Sequence, residues 1–205
     1  MPEAGLSPSR SAFLELKEER QLVREGFEFL DEKRVILAQE MLRRLKAWKA
    51  ARERYDALHE EAAAALARAV GRHGLDGIGI YPAPRMDNAA LARKETRFLG
   101  VNLLDGEFDP GWGEKDARPP HAVNPSPEAE RCREAFAALL PLGFELAVMR
   151  ASLERLVREY VRTERRARAL ENVVLPEIEH SLRFMDEQLE AMDQEEAIRV
   201  RNAGR

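Results

Sequence analysis

Residues 26 to 71 read GFEFLDEKRVILAQEMLRRLKAWKAARERYDALHEEAAAALARAVG, and between the two end glycines there is no further glycine and no proline. The stretch is built from Ala, Leu, Glu, Arg and Lys, the strongest helix formers, so nothing in it interrupts an α-helix. Extending the pattern outward, Ser9 or Ser11 can cap the start, and Gly71 with Gly74 can close the end through a left-handed turn. The expected helix runs from about Ser11 to Arg72, a rod on the order of 90 Å at 1.5 Å per residue. Apolar side chains recur along it at alternating steps of three and four, through Phe13, Leu16, Val23, Phe27, Leu30, Leu37, Met41, Trp48, Ala51, Tyr55, Leu58, Ala62 and Ala65. That is a heptad seam for a partner helix. Arg20, Arg34 and Arg44 fall on the same seam. A buried guanidinium must be paired, so either partner-helix glutamates meet them or the seam opens there. Leu22, Phe29, Ile36 and Leu45 widen the apolar stripe beyond a two-stranded seam, which requires another surface to cover part of this helix.

The other end of the chain is helical too. Ser126-Pro127-Glu128 is a cap followed by a first-turn proline, and a second seam follows through Leu139, Leu142, Leu146, Met149, Leu153, Leu156, Tyr160, Thr163, Ala167 and Leu170. The step then changes. Leu170, Val174, Ile178 and Leu182 follow at successive fours before Met185, Leu189 and Met192 restore the earlier rhythm, a stutter that locally unwinds a supercoil around Pro176. Pro141 and Pro176 each remove a backbone hydrogen bond and are expected to bend or break the rod.

Between the helices, residues 74 to 125 carry seven of the 12 glycines and six of the 11 prolines, so helix stops there. Ile78, Ile80 and Tyr81, then Phe98, Leu99, Val101, Leu103 and Leu104, read as short strands, with turns at Pro82-Ala83-Pro84 and Asp105-Gly106. Residues 105 to 125 read as an exposed loop. The fold class is therefore all-α dominated: a long antiparallel two-helix coiled coil of the N- and C-terminal helices, with a small α/β or β-hairpin insertion. The expected divisions are 1–73, 74–125 and 126–205.

Composition narrows the function. Charged residues make up 34% of the chain and aromatics 6%, which suits thin helical structure better than a thick core. Lys and Arg number 33 against 37 Asp and Glu, and the net charge of −4 gives no general pull toward nucleic acid or anionic lipid. The first residues lack the apolar core of a secretory signal, and no apolar run is expected to approach a membrane span. Cys132, among Glu130, Arg131, Arg133 and Glu134, reads as an ordinary partly exposed thiol. The segment Gly74 to Gly79 lacks the Lys-Ser/Thr of a phosphate-binding loop and reads as a turn before a strand. His59, His73, His121 and His180 are too scattered to hold a metal, and no nucleophile and base stand out, so no catalytic, cofactor or metal residues are expected. The most distinctive charged feature is Arg162, Arg165, Arg166 and Arg168, whose blander reading is a solvated helix face. Trp48 reads as core rather than as a binding anchor.

Two blocks at opposite ends of the chain carry a family resemblance. SRSAFLELKEERQLVREGFEFLDEKRVILAQEML, with Leu16-Lys17, Gly26 and Lys33-Arg34, resembles the N-terminal helix of the D subunit of V-type and archaeal-type ATPases. RTERRARALENVVLPEIEHSLRFMDEQLEAMDQEE is similar to that family's C-terminal helix, with Arg165-Arg166, Ala169-Leu170-Glu171, Pro176 and an acidic run from Glu187 to Glu196. The resemblance implies a non-catalytic central rotor shaft that carries torque between an ATP-binding head and an ion-translocating membrane rotor. It implies as partners the catalytic A and B subunits, the small central-stalk F subunit and a membrane-rotor adaptor of C/d type, on the cytoplasmic face of a membrane. Arg162, Arg165, Arg166, Arg168, Glu171, Lys33 and Arg34 are then the expected head-contact or bearing residues. The alternative is a free-standing chaperone or tether of prefoldin type, which also joins two long helices through β-structure. Its client-gripping tips should be apolar, whereas Asp193 to Arg205 carry three acidic and three basic residues.

Overall fold

The computed structural model describes residues 9–81, 89–109, 122 and 124–204. Helix α1 spans Arg10–Gly79, a hairpin follows with β1 at Ala90–Phe98 and β2 at Val101–Asp109, then come α2 at Pro127–Ala169, a π-helical turn at Leu170–Val174 and α3 at Leu175–Ala203. The chain divides into two compact units, one of residues 1–36 with 160–205, the other of 37–159.

In the first unit the start of α1 runs antiparallel to α3. Ser9 is the cap that begins it: its Oγ accepts the Ala12 N–H at 3.1 Å and its carbonyl accepts the Phe13 N–H at 3.0 Å. Arg10 reaches both carboxylate oxygens of Asp193 at 3.0 Å, while further along α1 Gly26 faces Leu170. Thr163, Ala167, Ile178, Leu182 and Met185 are buried, all on the expected seam. The π turn is the structural form of the stutter. Steps of four overshoot an α-helix by about 40° each, and a turn holding roughly one extra residue takes up the excess, so Ile178 and Leu182 still face inward. Pro176 explains why it lies here. The Leu175 N–H bonds to Leu170 O, five residues back, and the widened turn gives room for a ring that would otherwise press on the carbonyl four residues earlier. Pro141, by contrast, sits inside α2 without breaking it.

In the second unit, Leu37, Ala51, Ala62, Ala65 and Ala69 of α1 and Ala129, Cys132, Leu139, Leu146 and Leu156 of α2 form the buried stripes. The sequence expectation of a helix closed at Gly71 and Gly74 is corrected: Gly74 has φ 70° and ψ 170°, outside the left-handed helical region, so it kinks the helix, which resumes to Gly79. Ile78 is accordingly helical rather than in a strand, and packs against Ala65, Ala69 and Cys132. Cys132 is buried, not partly exposed, and burial pushes its thiol pKa up. Ser126 is the expected cap of α2: its Oγ accepts the Ala129 N–H at 3.1 Å and lies 2.6 Å from His73 Nε2. Arg72 with Glu128 at 3.3 Å ties the same two helix ends together.

The hairpin exists but turns elsewhere than expected. The strands pair from Ala90↔Asp109 to Phe98↔Val101, and the two-residue loop is Leu99-Gly100, both at positive φ (46° and 86°) as a primed turn requires. Asp105-Gly106 lies within β2. Gly106 is there because a Cβ would come 2.8 Å from Ala92 O and 3.3 Å from Phe144 Cε1. The expected turn at Pro82-Ala83-Pro84, His121 and most of the expected 105–125 loop lie outside the described residues; residues 105–109 are strand.

β2 docks on α2 by its outer edge. In an antiparallel pair a residue's N–H and C=O both point to the partner strand or both away. At Leu104 they point away, and the hydroxyl of fully buried Ser152 meets both, accepting from the N–H at 2.8 Å and donating to the C=O at 2.7 Å. Arg155 donates to the Asn102 carbonyl at 2.8 Å, and Phe108 packs on Phe144 with ring centroids 6.0 Å apart.

One expectation about the membrane is corrected. An 18-residue window within Pro127–Ala203 reaches a mean hydropathy of 1.5, long and apolar enough by composition to cross a bilayer. Core helices of soluble proteins carry windows of the same composition.

Candidate contact surface

The residues singled out in the sequence fall in the first unit, and the structure separates them. Arg162, Arg165, Arg166 and Arg168 are exposed at the end of α2, and Glu171 is exposed in the π turn. Lys33 and Arg34 on α1 are half-buried. Arg168 is held by Glu164 at 2.6 Å, one turn back on its own helix, so its charge is largely neutralised locally. Arg162 and Lys33 also have partners. Arg165 and Arg166 carry no ion pair among the described residues and present full charge outward.

Two of the three seam arginines resolve in a way not foreseen. Arg34 pairs with Asp31 and Arg44 with Glu40, each on α1 itself, while Arg20 is exposed beside Glu179, Arg183 and Asp186. A guanidinium flanked by an acid three or four residues earlier needs nothing from the facing helix. Glu40 serves Arg43 and Arg44 together, at 2.7 and 2.6 Å. The Arg43 hydrogen bond, supported by that of Arg44, holds its carboxyl below the ordinary glutamate range against the opposing pull of burial. In the second unit Trp48 is half-buried rather than core, lining a shallow groove with Leu45, Leu153 and Val157.

The π turn leaves one polar group without a helical partner. The Leu175 N–H is taken by Leu170 O, and residue 176 is a proline, so the Glu171 carbonyl has no amide donor four or five residues ahead. Sequence reasoning marked Glu171 for its side chain and missed this backbone acceptor, although the four-residue steps beside Pro176 were its signal. Opposite, Gly26 leaves space in which a Cβ would stand 3.8 Å from Leu170 Cδ1.

This surface offers charged side chains and one unpaired backbone acceptor. Among the described residues no group of three or more His, Cys, Asp or Glu could hold a metal ion. His59 stacks on Tyr55 at 6.1 Å and His73 meets Ser126, both structural uses.

Comparison with known proteins agrees along nearly the whole chain. The family model for the ATP synthase D subunit matches residues 12–204. A V-type ATP synthase D subunit of Thermotoga neapolitana is 22% identical over 198 residues, covering 96% of each chain. The A-type ATP synthase D subunits of Pyrococcus horikoshii and Thermococcus kodakarensis are 29% and 28% identical, covering 98% and 96% of this chain and 94% and 92% of their own.

Proposed function

Because the chain belongs to the ATP synthase D-subunit family, we propose that it is the non-catalytic central-stalk shaft of a rotary ATPase, passing torque between an ATP-binding head and an ion-translocating membrane rotor. Membership of the family places it within an ATP synthase complex, peripheral to the membrane. The observation that carries the finer reading is that the match runs from residue 12 to residue 204, through both terminal helices and the hairpin. A prefoldin-type chaperone has no comparable support.

In this reading the paired ends stand inside a head of catalytic A and B subunits on the cytoplasmic side. The small F subunit clasps the shaft, and an adaptor of C/d type seats its other end on the membrane rotor. Two antiparallel helices resist twisting because every seam contact would have to slip together. Unequal faces let such a shaft favour different states of the surrounding catalytic interfaces as it turns. The head-contact residues are Arg162, Arg165, Arg166, Arg168, Glu171, Lys33 and Arg34, with Arg165 and Arg166 the strongest because they form no ion pair among the described residues. The chain contributes no catalytic group of its own.

Reconstitution tests this. Catalytic-head subunits, stalk subunits and membrane rotor assembled with the chain should couple ATP hydrolysis to ion transport, and omission should leave hydrolysis uncoupled. Failure of the chain to join the head, or coupling that survives its omission, would sink the reading.

A further inference from the structure

The two-helix packing of the first unit leaves one face of α1 uncovered. Leu22, Phe29 and Ile36 are 69%, 64% and 43% exposed. They recur every seven residues, nearly two helical turns, so the three lie within about 40° of one line along the helix. A single exposed leucine is ordinary; large apolar residues in heptad register form a seam, and a seam of this period fits another α-helix.

Its edge is charged in the same register. Glu18, Glu25 and Glu32 each stand four residues before one of the apolar three, which places every carboxylate about 40° to the same side of the stripe. All three are exposed. Glu18 and Glu32 meet no cation among the described residues, and Glu25 accepts only the Gln21 Nε2 bond at 2.9 Å. The opposite edge, Glu19, Gly26 and Lys33, shows no such repeat.

We propose that this acid-edged stripe docks one amphipathic helix of the catalytic head, carrying apolar residues at seven-residue spacing with lysine or arginine along one side. The inference rests on the shaft reading above and names the chemistry of what the shaft meets on this face. The apolar side chains supply the buried area, and the carboxylates set register and choose the partner. A second copy of the chain laid antiparallel along the stripe is a poor occupant, because that pairing brings the two glutamate edges together.

The test uses the full chain with purified catalytic-head subunits, comparing wild type with two surface variants, L22S/F29S and E18K/E25K/E32K, each checked for helicity and melting. Wild type should bind the head with an affinity that falls as salt rises, and each variant should bind at least tenfold more weakly. If wild type does not bind the head, the shaft reading itself fails. If wild type binds and both variants bind as tightly, or its binding is indifferent to salt, the docking inference is overturned while the shaft reading stands. A chain that self-associates alone, and loses this in L22S/F29S, overturns it in favour of a second copy.

Discussion

Replacing Ser152 by alanine should detach the hairpin from its helix, and the structure sets the size of the effect. One hydroxyl, fully buried, serves both the N–H and the C=O of Leu104 at 2.8 and 2.7 Å, standing in for a third strand at the outer edge of β2. Alanine keeps the α2 backbone and removes both bonds at once. Each buried group left unpaired costs roughly 1–3 kcal/mol. Leu104 is only half-buried, so water can reach part of the gap and the lower end applies. The expected total is about 2–3 kcal/mol, concentrated in the hairpin. Amide hydrogen exchange reads it where it occurs: Leu104 should exchange on the order of 30- to 100-fold faster, given about 1.4 kcal/mol per tenfold. Arg155→Ala is the control, since it removes one bond to Asn102 O from an accessible site and should cost about 0.5 kcal/mol. Equal effects of the two variants, or unchanged Leu104 exchange in S152A, would refute the edge-sealing role of the hydroxyl.

Glu40 makes acid sensitivity predictable. Its folded-state pKa is depressed, so its stabilising effect is complete above the unfolded value and disappears as pH falls through the folded one. Urea melts from pH 7 to pH 3 should show a loss that Glu40→Gln lacks, that variant being weaker at pH 7 and no more acid-sensitive thereafter. Gly26→Ala should stabilise the chain by about 0.5–1 kcal/mol, because the added methyl meets Leu170 at an ordinary 3.8 Å and a helix-interior glycine is removed; thermal melting checks it, and a fall in Tm would contradict the packing described. Cys132, buried with its thiol pushed up, should react with iodoacetamide at pH 8 at least tenfold more slowly in the native chain than in urea, read by intact mass.

The long helices were legible because their signals are local and redundant. A stretch with no glycine or proline and apolar residues at three and four leaves the backbone little choice, and the seam positions Leu37, Ala51, Ala62, Leu156, Thr163, Ala167 and Met185 are indeed buried. Local signals mislead where one residue can serve two purposes. Gly106 follows aspartate, the strongest short-range turn signal, yet it is glycine to admit the Phe144 ring, which belongs to a helix far along the chain. The true turn puts leucine at positive φ, which no local preference would choose; the strand register fixes a two-residue loop there. The arginines proposed for contact were legible as a cluster in the sequence, but their pairing was not. The arginines at 162, 165, 166 and 168 look alike in sequence, and only the geometry shows that Glu164 neutralises Arg168 while Arg165 and Arg166 stay uncommitted.

The turn at Leu170–Val174 works as an intercalary day does in a calendar. An α-helix advances about 100° per residue, so one residue too many would rotate all that follows by that angle. Ile178, Leu182 and Met185 would then look sideways into water. Absorbing the surplus in one wide turn keeps every later date on its proper weekday. A related chain with one residue fewer between Ala167 and Ile178 can therefore present the same inward side chains through plain α-helix, and an alignment that forbids a gap there will mismatch every contact beyond it.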